Sequence, residues 1–137
     1  MESHVTLSDA EFENQFAVKT LHAELFTHEA HLRLAWIHIQ KYGVESAIGN
    51  LTSQIKNYAN SLGAADKYHE TVTIAAIRAV YHFMLRSTDS NFNDFIRNNP
   101  RLRNNFKELL NAHYTTDIFH DEHAKKNYLE PELLPFD

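Results

Sequence analysis

Among the 137 residues, ten are histidines, and three of these stand where an imidazole can do chemistry. His28 and His31 lie three apart in FTHEAHLRLAW, the stretch from Phe26 to Trp36, and His69 lies in DKYHETVT. Two imidazoles at i and i+3 share one side of a helix. Three neutral ring nitrogens plus water make an open coordination shell for zinc. The same donors suit a non-haem iron, manganese or nickel centre. The chemistry on offer is hydrolysis by a metal-bound water or an iron(II)-dependent oxidation.

Helix geometry decides whether these residues meet. With His28 at zero on a helical wheel, His31 falls near about 300°, Leu32 near about 40°, Ala35 near about 340° and Ile39 near about 20°. Both histidines therefore occupy the first turn of an apolar face. With His69 at zero, Thr73, Ala76, Val80 and Phe83 all fall within about 40° of it, so His69 also opens a buried face. The positive end of a helix dipole and burial both disfavour imidazolium. These positions predict neutral rings, the form a metal requires.

The elements that carry them follow from caps and periodicity. Ser8 caps a first helix with Asp9, Glu11 and Glu13 in or near its first turn. It ends near Leu21. Thr27 caps a second helix over 28–42 that stops at Gly43. A third covers 44–62, with Ala47, Ile48, Leu51, Ile55, Tyr58 and Ala59 at helical spacing, and ends at Gly63. A fourth covers 68–86. Short helices follow at 92–97, from Pro100 to Leu110, and over 117–126 behind Thr116, before a tail holding Leu133, Leu134 and Phe136. The fold class is all-α: an up-down helical bundle of three long helices, an N-terminal helix and short C-terminal helices, in a single domain over 1–137. Short connections make consecutive helices antiparallel. The second and fourth then start at the same end of the bundle, and His28, His31 and His69 converge there.

Composition narrows the class. The chain is 43% hydrophobic and 23% charged, with 3 Gly and 3 Pro, which favours long helices over many-stranded sheets. A net charge of −5 opposes general nucleic-acid binding. The absence of cysteine removes disulfides, thiolate metal sites and thiol nucleophiles. No signal peptide and no membrane span is expected, which predicts a cytoplasmic monomer or homodimer. A Gly-rich phosphate loop and G-x-S-x-G are missing, and HEAH fails the H-E-x-x-H spacing. No histidine has a glutamate three residues before it, which argues against a carboxylate-rich di-metal bundle.

Each candidate has a plainer explanation. His28 and His31 could be capping or core-edge residues bonded to carbonyls, and His69 could hold the loop GAADK. His38 reads as a boundary residue, His113 as a helix C-terminal cap, His4 as part of a mobile end, and His120 with His123 as a solvated face. Arg33 points away from the stripe and predicts an ion pair, on the surface or between helices. RNNPRLRNNFK is locally basic and reads as a solvated connection.

FTHEAHLRLAW, DKYHETVT, AHY and the terminal LEPELLPFD together resemble a group of small, uncharacterised bacterial helical-bundle proteins with F-x-H-x-x-H-L-R-x-A-W and K-Y-H-E-T motifs. The resemblance runs from about Leu7 to the tail. It marks Phe26, His28, His31, Arg33, Trp36, Lys67, Tyr68, His69, Glu70 and Thr71, and it implies no reaction. In architecture alone the chain resembles the DinB-like bundles, which bind metal through three histidines. Those place a pair at i, i+4 on a late helix, not i, i+3 on an early one.

The expectation is a small metal-dependent enzyme with a divalent metal ion, zinc or iron, on His28, His31 and His69. Glu70 is the acid–base candidate, and Tyr58, Tyr68 and Trp36 line a pocket for a small-molecule substrate. Two alternatives are a metal-free module that binds small acids and a helical interaction protein; Leu34 and Ile37, off the main stripe, either form a dimer contact or meet the later helices.

Overall fold

Each long helix begins and ends where its sequence supplies the means. The computed structural model describes residues 4–131 and 133–134, and among these no strand occurs. The fold is an all-α helical bundle. Its contacts gather into two compact units, Met1–Tyr68 and His69–Asp137.

In the first unit, α1 spans Asp9–Ala17. Ser8 Oγ accepts from the Glu11 N–H at 3.1 Å, and Glu11 Oε1 accepts from the Ser8 N–H at 2.9 Å. This reciprocal box satisfies two donors that a helix start leaves open. The helix stops at Ala17 rather than near Leu21, because the chain turns through Lys19 at φ 65. The second helix, α2, spans His28–Tyr42, and Thr27 Oγ1 accepts from the Ala30 N–H at 3.2 Å. Gly43 ends it at φ 86 and ψ 163, a conformation only glycine adopts easily, and α3 follows over Val44–Ser61. The three helices pack on one another around Phe12, Phe16, Leu32, Ala35, Leu51 and Tyr58, all buried. Burying an aromatic or leucine side chain contributes about 1.5–3 kcal/mol.

In the second unit, α4 spans Glu70–Met84, two residues inside the expected start at Tyr68, because His69 is its N-cap. Its buried residues are Thr71, Ile74, Ala75, Ile77, Ala79 and Val80. Of the stripe expected as core, Ile77 and Val80 are buried, whereas Val72, Thr73, Ala76, Phe83 and Met84 are half-buried. Then come α5 (Phe92–Asn98), α6 (Pro100–Asn104), α7 (Phe106–Asn111) and α8 (Glu122–Lys126). Pro100 opens α6 as expected, but Asn105 breaks the run that the pattern carried through Leu110. Both α7 and α8 pack on α4. Thr71 Oγ1 donates to Asn127 O at 2.8 Å and accepts from the Leu129 N–H at 3.0 Å, which ties the segment after α8 to α4. Leu133 and Leu134 are exposed, and Phe136 lies outside the described residues. No helix among the described residues is long and apolar enough to cross a membrane.

Candidate metal centre

Thr27 organises the start of α2 with both of its oxygens. Its hydroxyl caps Ala30, and its carbonyl accepts from the His31 backbone N–H at 3.0 Å. The same carbonyl lies 2.8 Å from His31 Nδ1. A carbonyl only accepts, so Nδ1 carries the proton. In the neutral ring Nε2 is then a lone pair. Metal-binding histidines are commonly oriented in this way, by a second ring nitrogen held on a carbonyl or carboxylate.

The other face of the ring is fixed by stacking. His31 lies on Phe26 with ring centroids 3.7 Å apart and 22° between planes. Phe26 rests on Phe16 at 4.7 Å and edge-on against Tyr58 at 5.1 Å. Two features of His31 pull in opposite directions. By surface area the residue is exposed, yet its ring has dense protein beneath it. Desolvation governs its proton and lowers its pKa to about 4, against a raising contribution from the Thr27 carbonyl and with a lowering one from a charge on His28. That coupling also marks the two imidazoles as neighbours. His28 is the first residue of α2 and is exposed.

The expected pocket residues have other tasks. Tyr58 is buried under the aromatic cluster, and its hydroxyl donates to Leu21 O at 2.8 Å. Burial pushes its phenol pKa up. Trp36 is 4% exposed, midway along α2. Tyr68 is half-buried, with the Lys56 ammonium 5.2 Å from its ring centroid. Leu34 and Ile37, considered for a dimer contact, are buried within the chain and are closed to a second copy.

His69 belongs to the second unit, and both its ring nitrogens are engaged there. Nδ1 accepts from the Val72 N–H at 3.1 Å, and Nε2–H donates to Ile118 O at 2.7 Å. To ligate a metal it would have to release one of these partners. Glu70, the acid–base candidate, is the half-buried first residue of α4. Among the described residues, no group of three or more His, Asp or Glu side chains is placed to hold a metal ion.

The remaining histidines divide between core and surface. His120 Nδ1 bonds Asp117 Oδ2 at 2.7 Å, and with His123 it is exposed, the solvated face expected. His113 lies beyond α7 and bonds Leu134 O through Nδ1 at 2.7 Å. His38 is fully buried rather than at a boundary, and Asn50 Nδ2 lies 3.5 Å from its Nδ1. His4, expected in a mobile end, is 2% exposed and sits against Glu29 and Arg33. Arg33 makes the expected ion pair, to Asp9 of α1, but from a buried position. No local pattern marks His4, because its partners lie more than twenty residues away. Phe26 was marked only by its place in the motif. No family model matches the chain, and neither a curated protein nor a solved structure matches it.

Proposed function

We propose that this protein binds a divalent transition metal ion through His28 and His31 at the first turn of α2, as the working centre of a small metal-dependent enzyme. One observation carries the reading: the Nδ1–H of His31 is committed to the Thr27 carbonyl, which leaves Nε2 as an unprotonated donor at neutral pH. Imidazole donors suit zinc, iron or nickel, and the identity of the ion follows from availability and geometry rather than from donor type. Two protein ligands leave most of the shell to water or a small molecule, as in catalytic rather than closed structural sites. His69 is the third candidate ligand. Its two backbone bonds favour a structural role, in which it caps α4 and holds Ile118.

The same observation weighs against the metal-free acid-binding alternative. A neutral ring with a lone pair at Nε2 repels a carboxylate, whereas it attracts a cation or a hydrogen-bond donor.

Calorimetric titration of untagged protein with Zn²⁺ tests the proposal, alongside elemental analysis of the protein as purified. The expected result is one equivalent bound, lost in both His28→Ala and His31→Ala and kept in His69→Ala. Loss in all three variants, with the fold intact, would restore the three-histidine set. Wild-type protein that takes up no metal removes the proposal.

A further inference from the structure

The N-terminal 3-10 turn His4–Thr6 is held onto α2 by polar groups whose roles are all fixed by chemistry. Arg33 Nη1 lies 3.2 Å from His4 Nδ1, and a guanidinium only donates, so Nδ1 is the lone pair. Glu29 Oε2 lies 3.1 Å from His4 Nε2, and a carboxylate accepts, so Nε2 carries the proton. Arg33 also donates to His4 O at 2.6 Å and to Leu7 O at 2.8 Å. Its Nε and Nη2 both reach Asp9 Oδ1, at 3.1 and 2.8 Å. The Phe12 ring closes the assembly, 5.7 Å from the imidazole and 4.9 Å from the guanidinium carbon.

We propose that this assembly is an acid-released clasp, in which a second proton on the His4 ring turns Nδ1 from an acceptor into a donor facing Arg33 and frees residues 4–7 from α2. Among the described residues, the charged groups that face the ring include Glu29 and Arg33 from α2 and, through Arg33, Asp9 from α1. Glu29 favours the cation, but it already holds the Nε2–H of the neutral ring, so the second proton adds no bond to it. That proton removes the Arg33 bond and sets two cations against each other in a site with almost no water. Released into solvent, the imidazolium is hydrated, and Arg33 keeps its carboxylate at Asp9. Burial, the largest influence, and Arg33 lower the affinity of His4 for a proton, while Glu29 raises it; the net shift is downward. The clasp is therefore closed at neutral pH and opens as the medium turns acidic. It operates independently of any metal at His28 and His31.

Hydrogen–deuterium exchange of the full chain between pH 7.5 and 4.5, corrected for intrinsic rates, reads the clasp directly. The Leu7 N–H, which donates to His4 O at 3.1 Å, is the reporter. Its protection is expected to fall at least tenfold on acidification while amides of α3 keep theirs, and His4→Gln is expected to abolish the pH dependence. Should His4→Gln be open or unfolded at every pH, ¹⁵N spectra of the wild-type imidazole decide. The proposal expects the Nε2–H tautomer when protected, and a titration midpoint that coincides with the loss of protection. Unchanged protection through the His4 titration, or loss shared equally with α3, would overturn it.

Discussion

The Thr27 carbonyl oxygen and His31 Nδ1 are 2.8 Å apart, one helical turn along α2, and this contact sets the tautomer of the imidazole. The sequence FTHEAH thus does two things with one turn. Thr27 caps the helix with its side chain, and its backbone aims a ring four residues later. Replacing Thr27 by Ala removes the hydroxyl and keeps the carbonyl. Thr27→Ala is expected to cost about 1 kcal/mol of stability, in the range of N-cap losses, while His31 retains its Nδ1–H tautomer. Urea denaturation gives the first quantity and imidazole ¹⁵N shifts the second. A switch of tautomer in the variant would show that the carbonyl does not control the ring.

Tyr58 couples α3 to the segment between α1 and α2. Its hydroxyl meets the Leu21 carbonyl at 2.8 Å in a buried setting, while its ring supports Phe16 and Phe26. Tyr58→Phe should lower stability by about 1–2 kcal/mol, since it leaves a buried carbonyl without its donor. Thermal unfolding measures this, and an unchanged midpoint would mean that water replaces the phenol.

Arg33 serves four acceptors at once, His4 Nδ1, the His4 and Leu7 carbonyls and Asp9 Oδ1, so its charge and its fork shape both matter. Arg33→Met leaves the His4 and Leu7 carbonyls and the Asp9 carboxylate without their donor, at a cost of about 3 kcal/mol. Arg33→Lys should recover only part of this, because a single ammonium cannot reproduce the forked geometry. Equal stability of the lysine variant and wild type in chemical denaturation would refute the account of this network.

Lys19 is the one non-glycine residue at positive φ among those described. A side chain there strains the backbone, and glycine does not. Lys19→Gly is expected to stabilise the protein by about 0.5–1 kcal/mol, net of the entropy glycine adds to the unfolded chain. A lower melting temperature for this variant would mean that the lysine side chain has a stabilising role of its own.

Acid should destabilise the fold through its histidines. Burial is the leading cause by which His4, His31 and His38 all fall below their ordinary pKa. Below the ordinary imidazole pKa of 6.5 the unfolded chain binds more protons than the folded one, so stability is fully present above that pH. It falls as pH drops from 6.5 toward about 4, where folded His31 also takes up its proton. Urea midpoints measured from pH 8 to 4 should be flat above 7 and decline below 6.5. Midpoints that rise between pH 7 and 5 would contradict this.

Local signals in the sequence were strong where a cap or a glycine acts within a few residues. Thr27 and Gly43 set the bounds of α2, and Ser8 set the start of α1, because capping is a short-range effect of backbone donors and positive φ. His120 with His123 was legible for the same reason: a short polar segment stays in water. What was not legible depends on distant partners. His69 fell correctly at a helix start, but its bond to Ile118 joins residues 49 apart, and no local pattern announces it. The burial of His4 rests on Glu29 and Arg33, so an imidazole near a terminus looked free. The wheel for α4 placed His69 on the main stripe, yet Thr71, Ile74 and Ala75 are the more deeply buried side. Threonine hid that face, because its value there lies in two hydrogen bonds rather than in hydropathy.

The most direct measurement of the central claim is a Zn²⁺ titration of untagged, ¹⁵N-labelled protein, followed at the imidazole nitrogens. Metal binding at His31 should shift Nε2 strongly and saturate at one equivalent, with His28 responding in step and the His31 Nδ1–H unchanged on Thr27. Imidazole signals of His28 and His31 that stay put while zinc rises to millimolar excess would contradict it.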